Sequence, residues 1–436
     1  MKKTLIALAT FAAATGALAQ SSVTLFGGAD LNMRNVTSGT NKFSGMAQDG
    51  IYSSRLGFMG TEDLGGGLKA NFHFEGAMAP DVGTSGFFSF ARKSIIGLSG
   101  GFGEVRLGRD YTPMFTVAGI ADPFGTNGVG SSYNLANGAV VTNVTTPAAT
   151  GSAAGEASAF RTRQTASAAG TNAAATLPEA SVIADPNAVR LNNSVAFYSP
   201  SFNGFTVSGM YGYGSENTNL AKKASTGTSL KLAYANGPLS VAYGNQVTKG
   251  GLVGYAAAAA ANSLGSTTPG ALSSTTNTCA ATNSTTLVSA SSTEVAQCQS
   301  AAITAQAPTD DQKYTTNFYA ASYDLGVAKL SAGYKTDKMT DADLTGTFKS
   351  TILGVAAPMG ALTLKASYVA RTYDGAKVGT QTAIGALYDL SKRTTVYATY
   401  SNLKNEANYA NTVGSASTSA AALSSKGFEA GVKHSF

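Results

Sequence analysis

The sequence predicts an all-β fold, a 16-stranded antiparallel transmembrane β-barrel with short periplasmic turns and long extracellular loops. Three observations carry that expectation. First, apolar residues occur one in two over many short segments. Leu68, Ala70, Phe72 and Phe74 alternate with Lys69, Asn71, His73 and Glu75, the period of a strand with one apolar and one polar face. Second, only 12% of the 436 residues are charged, about half the share usual in soluble domains. Yet past the N-terminus no run offers the apolar length of a spanning helix. Third, the connections alternate strictly between short glycine-rich turns and long polar loops, as in bacterial outer-membrane barrels. A β-propeller would repeat four strands per blade, whereas the period here is two strands, and closure removes the sheet edges that lipid does not tolerate.

Residues 1–19 read as a secretory signal peptide: Met1-Lys2-Lys3 is a basic start, Thr4 to Ala14 an apolar run, and Ala17-Leu18-Ala19 a small-residue cleavage site. Leu5 to Ala14 has no polar face, which argues against an amphipathic helix. Residues 20–436 form a single barrel domain in this reading. The net charge of +6 falls to +4 without Lys2 and Lys3. No basic stripe is present, so no nucleic-acid partner is expected.

The elements follow in order. Strand one spans 23–34, followed by a polar loop over 35–50. Strand two (51–60) turns at Thr61 to Gly66 into strand three (67–77), and strand four (88–98) meets strand five (103–109) at Ser99-Gly100-Gly101-Phe102. The segment 110–191 has no sustained alternation and is a very long loop. Strands six (193–199) and seven (204–214) flank Pro200 to Asn203, and strands eight (228–235) and nine (239–247) flank Asn236-Gly237-Pro238, a hairpin signal. A second long loop covers 248–313. Strands ten (314–323), eleven (327–335), twelve (348–356), thirteen (361–372), fourteen (382–388), fifteen (394–403) and sixteen (427–436) complete the count. With Trp absent, the interfacial girdles fall to 19 Tyr and 20 Phe. Cys279 and Cys298 lie in one Ser/Thr/Ala-rich stretch with no nearby His. In an exported chain such a pair reads as a disulfide stapling the loop rather than a metal site, and no cofactor or metal is called for.

With these segments laid out, the chain resembles the general porins of β-proteobacterial outer membranes. The stretches that carry the resemblance are SSVTLFGGAD (21–30), SSRLGFMGTEDLGGGLKANF (53–72), ARKSIIGLSGGFGEVRLGRDYTP (91–113), ADPFG (121–125), NNSVAFYSP (192–200), YDLSKRTTVYATYS (388–401) and GVKHSF (431–436). They run from the first strand to the last residue. The resemblance implies a homotrimeric diffusion channel in the cell outer membrane, in contact with outer-membrane lipid and lipopolysaccharide. It implies that Phe436 is presented to the barrel-assembly machinery as a C-terminal signal. It also implies that the third loop folds into the lumen and sets acidic groups against a basic wall. The Ala/Thr/Ser-rich segment from Leu135 to Glu179 departs from the family as an insertion in that loop.

Carried over by motif, the basic wall consists of Arg55, Arg92 and Arg190. Strand parity places Arg55 and Arg190 inside, whereas counting from Ile96 and Leu98 turns Arg92 outward and Lys93 inward unless a bulge intervenes. Parity adds Arg106 and Lys69 to the lumen face. Asp122 of ADPFG is the first acidic candidate of the constriction loop and Asp110 the second, although an Asp before Pro123 also suits an ordinary turn. The expected function is passive diffusion of small hydrophilic solutes and ions with weak anion preference. A solute-specific porin and a plugged barrel serving as adhesin or anchor are the alternatives. Catalysis is not expected: the two histidines, His73 and His434, lie on strands that do not adjoin, and no nucleophile and base come together.

Overall fold

The structure, a computed structural model, describes residues 22–86, 89–137, 188–214, 226–249, 313–340, 345–406, 409–414 and 424–436. Its strands are β1 (Ser22–Ser38), β2 (Asn41–Gln48), β3 (Arg55–Gly65), β4 (Leu68–Ala79), β5 (Thr84–Gly86) and β6 (Lys93–Gly100). They continue as β7 (Gly103–Tyr111), β8 (Arg190–Tyr198), β9 (Phe205–Gly212), β10 (Thr226–Asn236), β11 (Leu239–Lys249) and β12 (Lys313–Asp324). The last six are β13 (Lys329–Thr340), β14 (Thr345–Met359), β15 (Leu362–Tyr373), β16 (Ala376–Asp389), β17 (Thr394–Asn405) and β18 (Ser425–Ser435).

These segments fill sixteen positions in one closed antiparallel wall. β2 and β3 lie end to end along β1, which pairs Leu31–Ser38 with β2 and Ser22–Gly28 with β3. β5 and β6 share one position along β4 in the same way. β18 pairs back to β1, Gly28 opposite Ser435 and Ser38 opposite Ser425, and this closes the barrel. The sixteen positions match the count from alternation. The stretch read as a polar loop over 35–50 is instead the top of β1 and a returning β2, turned at Gly39 with φ +61°. Polar composition hid this strand: Phe43 and Ala47 face in and Lys42, Ser44 and Met46 face out, which is alternation with few apolar members.

Along the wall one face is exposed and the other buried. On β12, Tyr314, Thr316, Phe318 and Ala320 are buried while Tyr319 and Tyr323 are about half exposed. The core is therefore inside the barrel. It forms where residues 112–137 cross the lumen and pack on the inner wall. The segment contains a 3₁₀ turn (Phe115–Val117), α1 (Ala118–Ala121) and α2 (Tyr133–Ala136). α1 rests on β11 to β14 and α2 on β15 and β16. Met114, Val117, Ala121, Val129 and Leu135 join Phe318, Ile352 and Leu403 in one buried cluster. Gly333 permits this approach, because a Cβ there would stand 2.7 Å from the Ala121 Cβ. Leu135 and Ala136 are fully buried, so the insertion read from Leu135 begins inside the packed loop. Most of the rest of it, like Cys279, Cys298 and the signal segment, lies outside the described residues.

Candidate pore constriction

Opposite the packed loop, three arginines from different strands converge on one row. Arg55 opens β3, Arg92 precedes β6 and Arg190 opens β8. Glu75 of β4 accepts from Arg92 Nε at 2.7 Å and from Arg55 Nη1 at 3.4 Å. The Tyr111 hydroxyl accepts from Arg92 Nη2 at 2.6 Å and from Arg190 Nη2 at 2.7 Å. The guanidinium of Arg190 also lies 4.3 Å from the Tyr111 ring centroid, and that of Arg55 lies 4.3 Å from the Tyr52 centroid. Stacking on aromatic faces holds each guanidinium plane while leaving its edge in water. The row therefore reads Arg55, Glu75, Arg92, Tyr111, Arg190.

Arg92 joins this row without a bulge in the strand. β6 begins only at Lys93, and Arg92 belongs to the irregular turn before it, where Phe90 has φ +40°. Both Arg92 and Lys93 thus reach the lumen, and strand parity does not govern the former. Asp49 to Ser54, the bend between β2 and β3, is fixed by Asp30, whose carboxylate accepts from the Ile51 and Tyr52 backbone N–H groups and from the Tyr397 hydroxyl. That anchoring positions Tyr52 under Arg55.

A second group adjoins the row. Asp110 pairs with Lys93 Nζ at 3.1 Å and Arg106 Nη1 at 2.9 Å, and Arg106 Nη2 also meets Glu104 at 2.9 Å. Asp110 is a wall residue at the end of β7 rather than a member of the loop, since the loop proper begins at Thr112. A cavity of about 350 Å³ separates this group from Phe115, Gly119 and Thr126 of the loop. Lys69 stands apart from both groups. It opposes Asp63 and Ser99 near the β3–β4 turn, six residues and about 20 Å along β4 from Glu75.

The loop's side of the gap differs from the expectation. Asp122, the acidic candidate of the constriction loop, is 4% exposed and faces its own backbone. It accepts from Phe124 N at 2.9 Å, Thr126 N at 3.2 Å, Ser132 N at 2.9 Å and Ser132 Oγ at 2.7 Å. Burial pushes its carboxyl above the ordinary range, and these hydrogen bonds oppose the shift. Asp122 folds the loop rather than charging the gap. Residues 112–137 contain no other Asp, Glu, Lys or Arg, so the described part of the loop offers the arginine row no carboxylate.

What holds the loop in place was not evident from motifs. Gln381 Nε2 donates to the carbonyls of Val129 and Ser131, and Arg371 Nη1 donates to Leu135 O at 2.8 Å. Glu429 accepts from Val129 N at 3.2 Å while pairing with Arg34 at 2.9 Å, both side chains buried. Of the site itself, Glu75, Tyr111 and Lys93 were not singled out by motif. Strand parity with His73 gives Glu75 its inward direction, and Tyr111 directly follows Asp110. At the C-terminus Phe436 exchanges two backbone hydrogen bonds of 3.1 Å with Gly27, and its ring lies over the Gly27 Cα, where a Cβ would be 2.8 Å away.

A closed wall with an apolar exterior, a charged interior and a loop across its bore defines a transmembrane β-barrel channel. The family model for Gram-negative porins matches residues 4–297 and 288–408. Over 453 aligned residues, the full length of both chains, the sequence is 32% identical to outer membrane porin protein 32 of Delftia acidovorans. A stretch of 116 residues is 42% identical to major outer membrane protein P.IB of Neisseria meningitidis serogroup B, covering 25% of this chain and 34% of that one. Among solved structures, the anion-selective porin from Comamonas acidovorans superposes with a TM-score of 0.67 at 27% identity, over 95% of this chain and 100% of that one. The trimer form of OmpT from Vibrio cholerae shares the fold, with a TM-score of 0.52 at 15% identity over 95% and 99% of the two chains. The chain belongs to the Gram-negative porin family and is an outer-membrane porin.

Proposed function

We propose that the protein is a homotrimeric, water-filled channel for passive diffusion of small hydrophilic solutes and ions, with a weak preference for anions. One observation carries the anion preference. The row and its adjoining group hold five cations (Arg55, Arg92, Lys93, Arg106, Arg190) against three carboxylates (Glu75, Glu104, Asp110), and the described part of the facing loop turns none toward them. At the margin stand Lys433 beside Tyr52 and the carboxylates of Asp49 and Asp30, which are turned to the backbone N–H groups of Ser54, Ile51 and Tyr52. Fixed charge of one sign in a narrow aqueous gap raises the local concentration of the opposite ion. The name of the Comamonas acidovorans relative, an anion-selective porin, agrees with this reading. In the same reading the signal segment is cleaved on export and Phe436 serves barrel assembly.

The test is solute flux. Folded protein in liposomes should admit small uncharged sugars, and should admit an anionic sugar acid faster than a cationic amino sugar of equal size. In a planar bilayer, conductance should rise in groups of three equal steps. Saturation of flux by one solute class would favour a solute-specific porin, and silence after verified insertion would favour a plugged barrel.

A further inference from the structure

Glu75, the carboxylate at the centre of the arginine row, divides its two oxygens between different partners. Oε1 accepts from Arg92 Nε at 2.7 Å and from Arg55 Nη1 at 3.4 Å. Oε2 faces Nε2 of His73, 3.5 Å away. His73 lies two residues before Glu75 on the same face of β4, about 7 Å along the strand, and its side chain is 23% exposed. The Phe26 ring meets the imidazole edge to face, with centroids 5.0 Å apart. Met59 on β3 and Ile95 on β6 are its direct cross-strand neighbours. Apolar groups thus hold the ring on three sides, and its Nε2 has no hydrogen-bond partner among the described residues.

The charged surroundings of His73 are those of the constriction. β4 itself carries Glu75 and Lys69 on the lumen face, β3 carries Arg55 and Asp63, and β6 carries Lys93 opposite Glu75. Arg92 and the Tyr111 hydroxyl join from the turn before β6 and the end of β7, and Tyr52 lies under Arg55. Arg106 and Glu104 stand one strand beyond β6. On β1 the Asp30 carboxylate is engaged by the bend and by Tyr397, and Asp122 of the loop is turned to its own backbone. Imidazole is the side chain whose charge ordinarily changes between about pH 5 and 8. Its protonated form donates from both ring nitrogens, so acid gives Oε2 a cationic donor and Glu75 a cation on each oxygen. The constriction then holds six cations against three carboxylates. In the neutral ring that sixth charge is missing. The second histidine, His434, is exposed on the outer face of β18 beside Thr394 and does not enter this balance.

We propose that His73 is a selectivity-determining residue, a pH-dependent cation on the second oxygen of Glu75 that raises the channel's anion preference as the medium is acidified. The proposal rests on the reading of the arginine row as the seat of selectivity. Reversal potentials of open channels in a potassium chloride gradient near 0.1 M would be recorded at about pH 5.5 and about pH 8, toward the two ends of the imidazole range. One added charge beside the path is worth about threefold in the chloride-to-potassium ratio at that salt. Wild type should therefore prefer chloride about threefold more strongly at the acid pH. His73→Gln should keep the alkaline ratio at both pH values, and His73→Lys the acid ratio at both. Acid-induced closure does not enter, because the reversal potential is read from channels that are open. A ratio independent of pH in wild type overturns the proposal without recourse to any variant. So does a slope retained by His73→Gln, which would place the titrating group elsewhere, and that variant decides even where a lysine at this position prevents folding. Preference for potassium at both pH values, with a slope that His73→Gln abolishes, would defeat the anion-channel reading and leave the role of His73 standing. Anion preference without a slope would do the reverse.

Discussion

Neutralising Arg55 and Arg190 together should reduce the anion preference about tenfold at low salt. At about 6.5 Å from a solute in water, one guanidinium contributes about 0.6 kcal/mol. A Debye length of about 10 Å at 0.1 M halves this to about 0.3 kcal/mol. The effect on anion and cation is opposite, so each arginine shifts their ratio by about 0.6 kcal/mol, and two shift it by about 1.3 kcal/mol, or about tenfold. At 1 M the Debye length of about 3 Å leaves less than about twofold. The double variant Arg55→Gln/Arg190→Gln should fold normally, because Glu75 keeps Arg92 at 2.7 Å and Tyr111 keeps the Arg92 donor at 2.6 Å. Reversal potentials in potassium chloride gradients at both salt concentrations measure the ratio. Lys69→Gln, about 20 Å down β4 from Glu75, is the control and should change little. An unchanged ratio in the double variant at 0.1 M, or an equal shift from Lys69→Gln, would refute the assignment of selectivity to the row.

Three substitutions probe the loop and its moorings. Asp122→Ala removes the acceptor of four hydrogen bonds and should cost on the order of 2–4 kcal/mol locally. Single-channel recordings should show a noisier current with its anion preference retained. Gly128→Ala, at φ +66°, would set a Cβ 2.2 Å from Glu429 Oε1 and 2.3 Å from Gly50 O. The left-handed backbone alone costs about 1–2 kcal/mol, and the clash should displace the loop, lowering the melting temperature and changing conductance. Glu429→Ala removes the carboxylate that pairs with buried Arg34 and the acceptor of Val129 N. The loss should be about 3–5 kcal/mol, read as a lower temperature for conversion from folded to heat-denatured migration on gels.

Strands were legible in this sequence because lipid on one side and a filled or wetted bore on the other force a period of two on almost every segment. The exceptions have local causes. β2 resembles a loop in sequence because its outward residues Lys42 and Ser44 are polar and only Phe43 and Ala47 mark the inner face. Arg92 conflicts with strand parity because it stands one residue before β6 begins. The arginines of the row were found by motif, while their organising partners Glu75 and Tyr111 were not. Partnership across β3, β4, β6, β7 and β8 depends on register, which a single segment does not display. Asp122 illustrates the opposite error. Its sequence context, Ala-Asp-Pro-Phe-Gly, is equally good for a lumen charge and a turn, and the deciding contact is with Ser132, ten residues away. Residues such as Gln381 and Glu429 sit on strands whose pattern says only that they face inward. What they hold becomes visible once the loop is folded against them.

Among the described residues of the constriction, five wall cations stand against three carboxylates. The most direct measurement is the zero-current potential of the folded wild-type channel across a tenfold potassium chloride gradient at low ionic strength. Chloride permeability exceeding potassium permeability, with the excess fading as salt is raised, is the predicted result. A potential showing potassium preferred over chloride would contradict it.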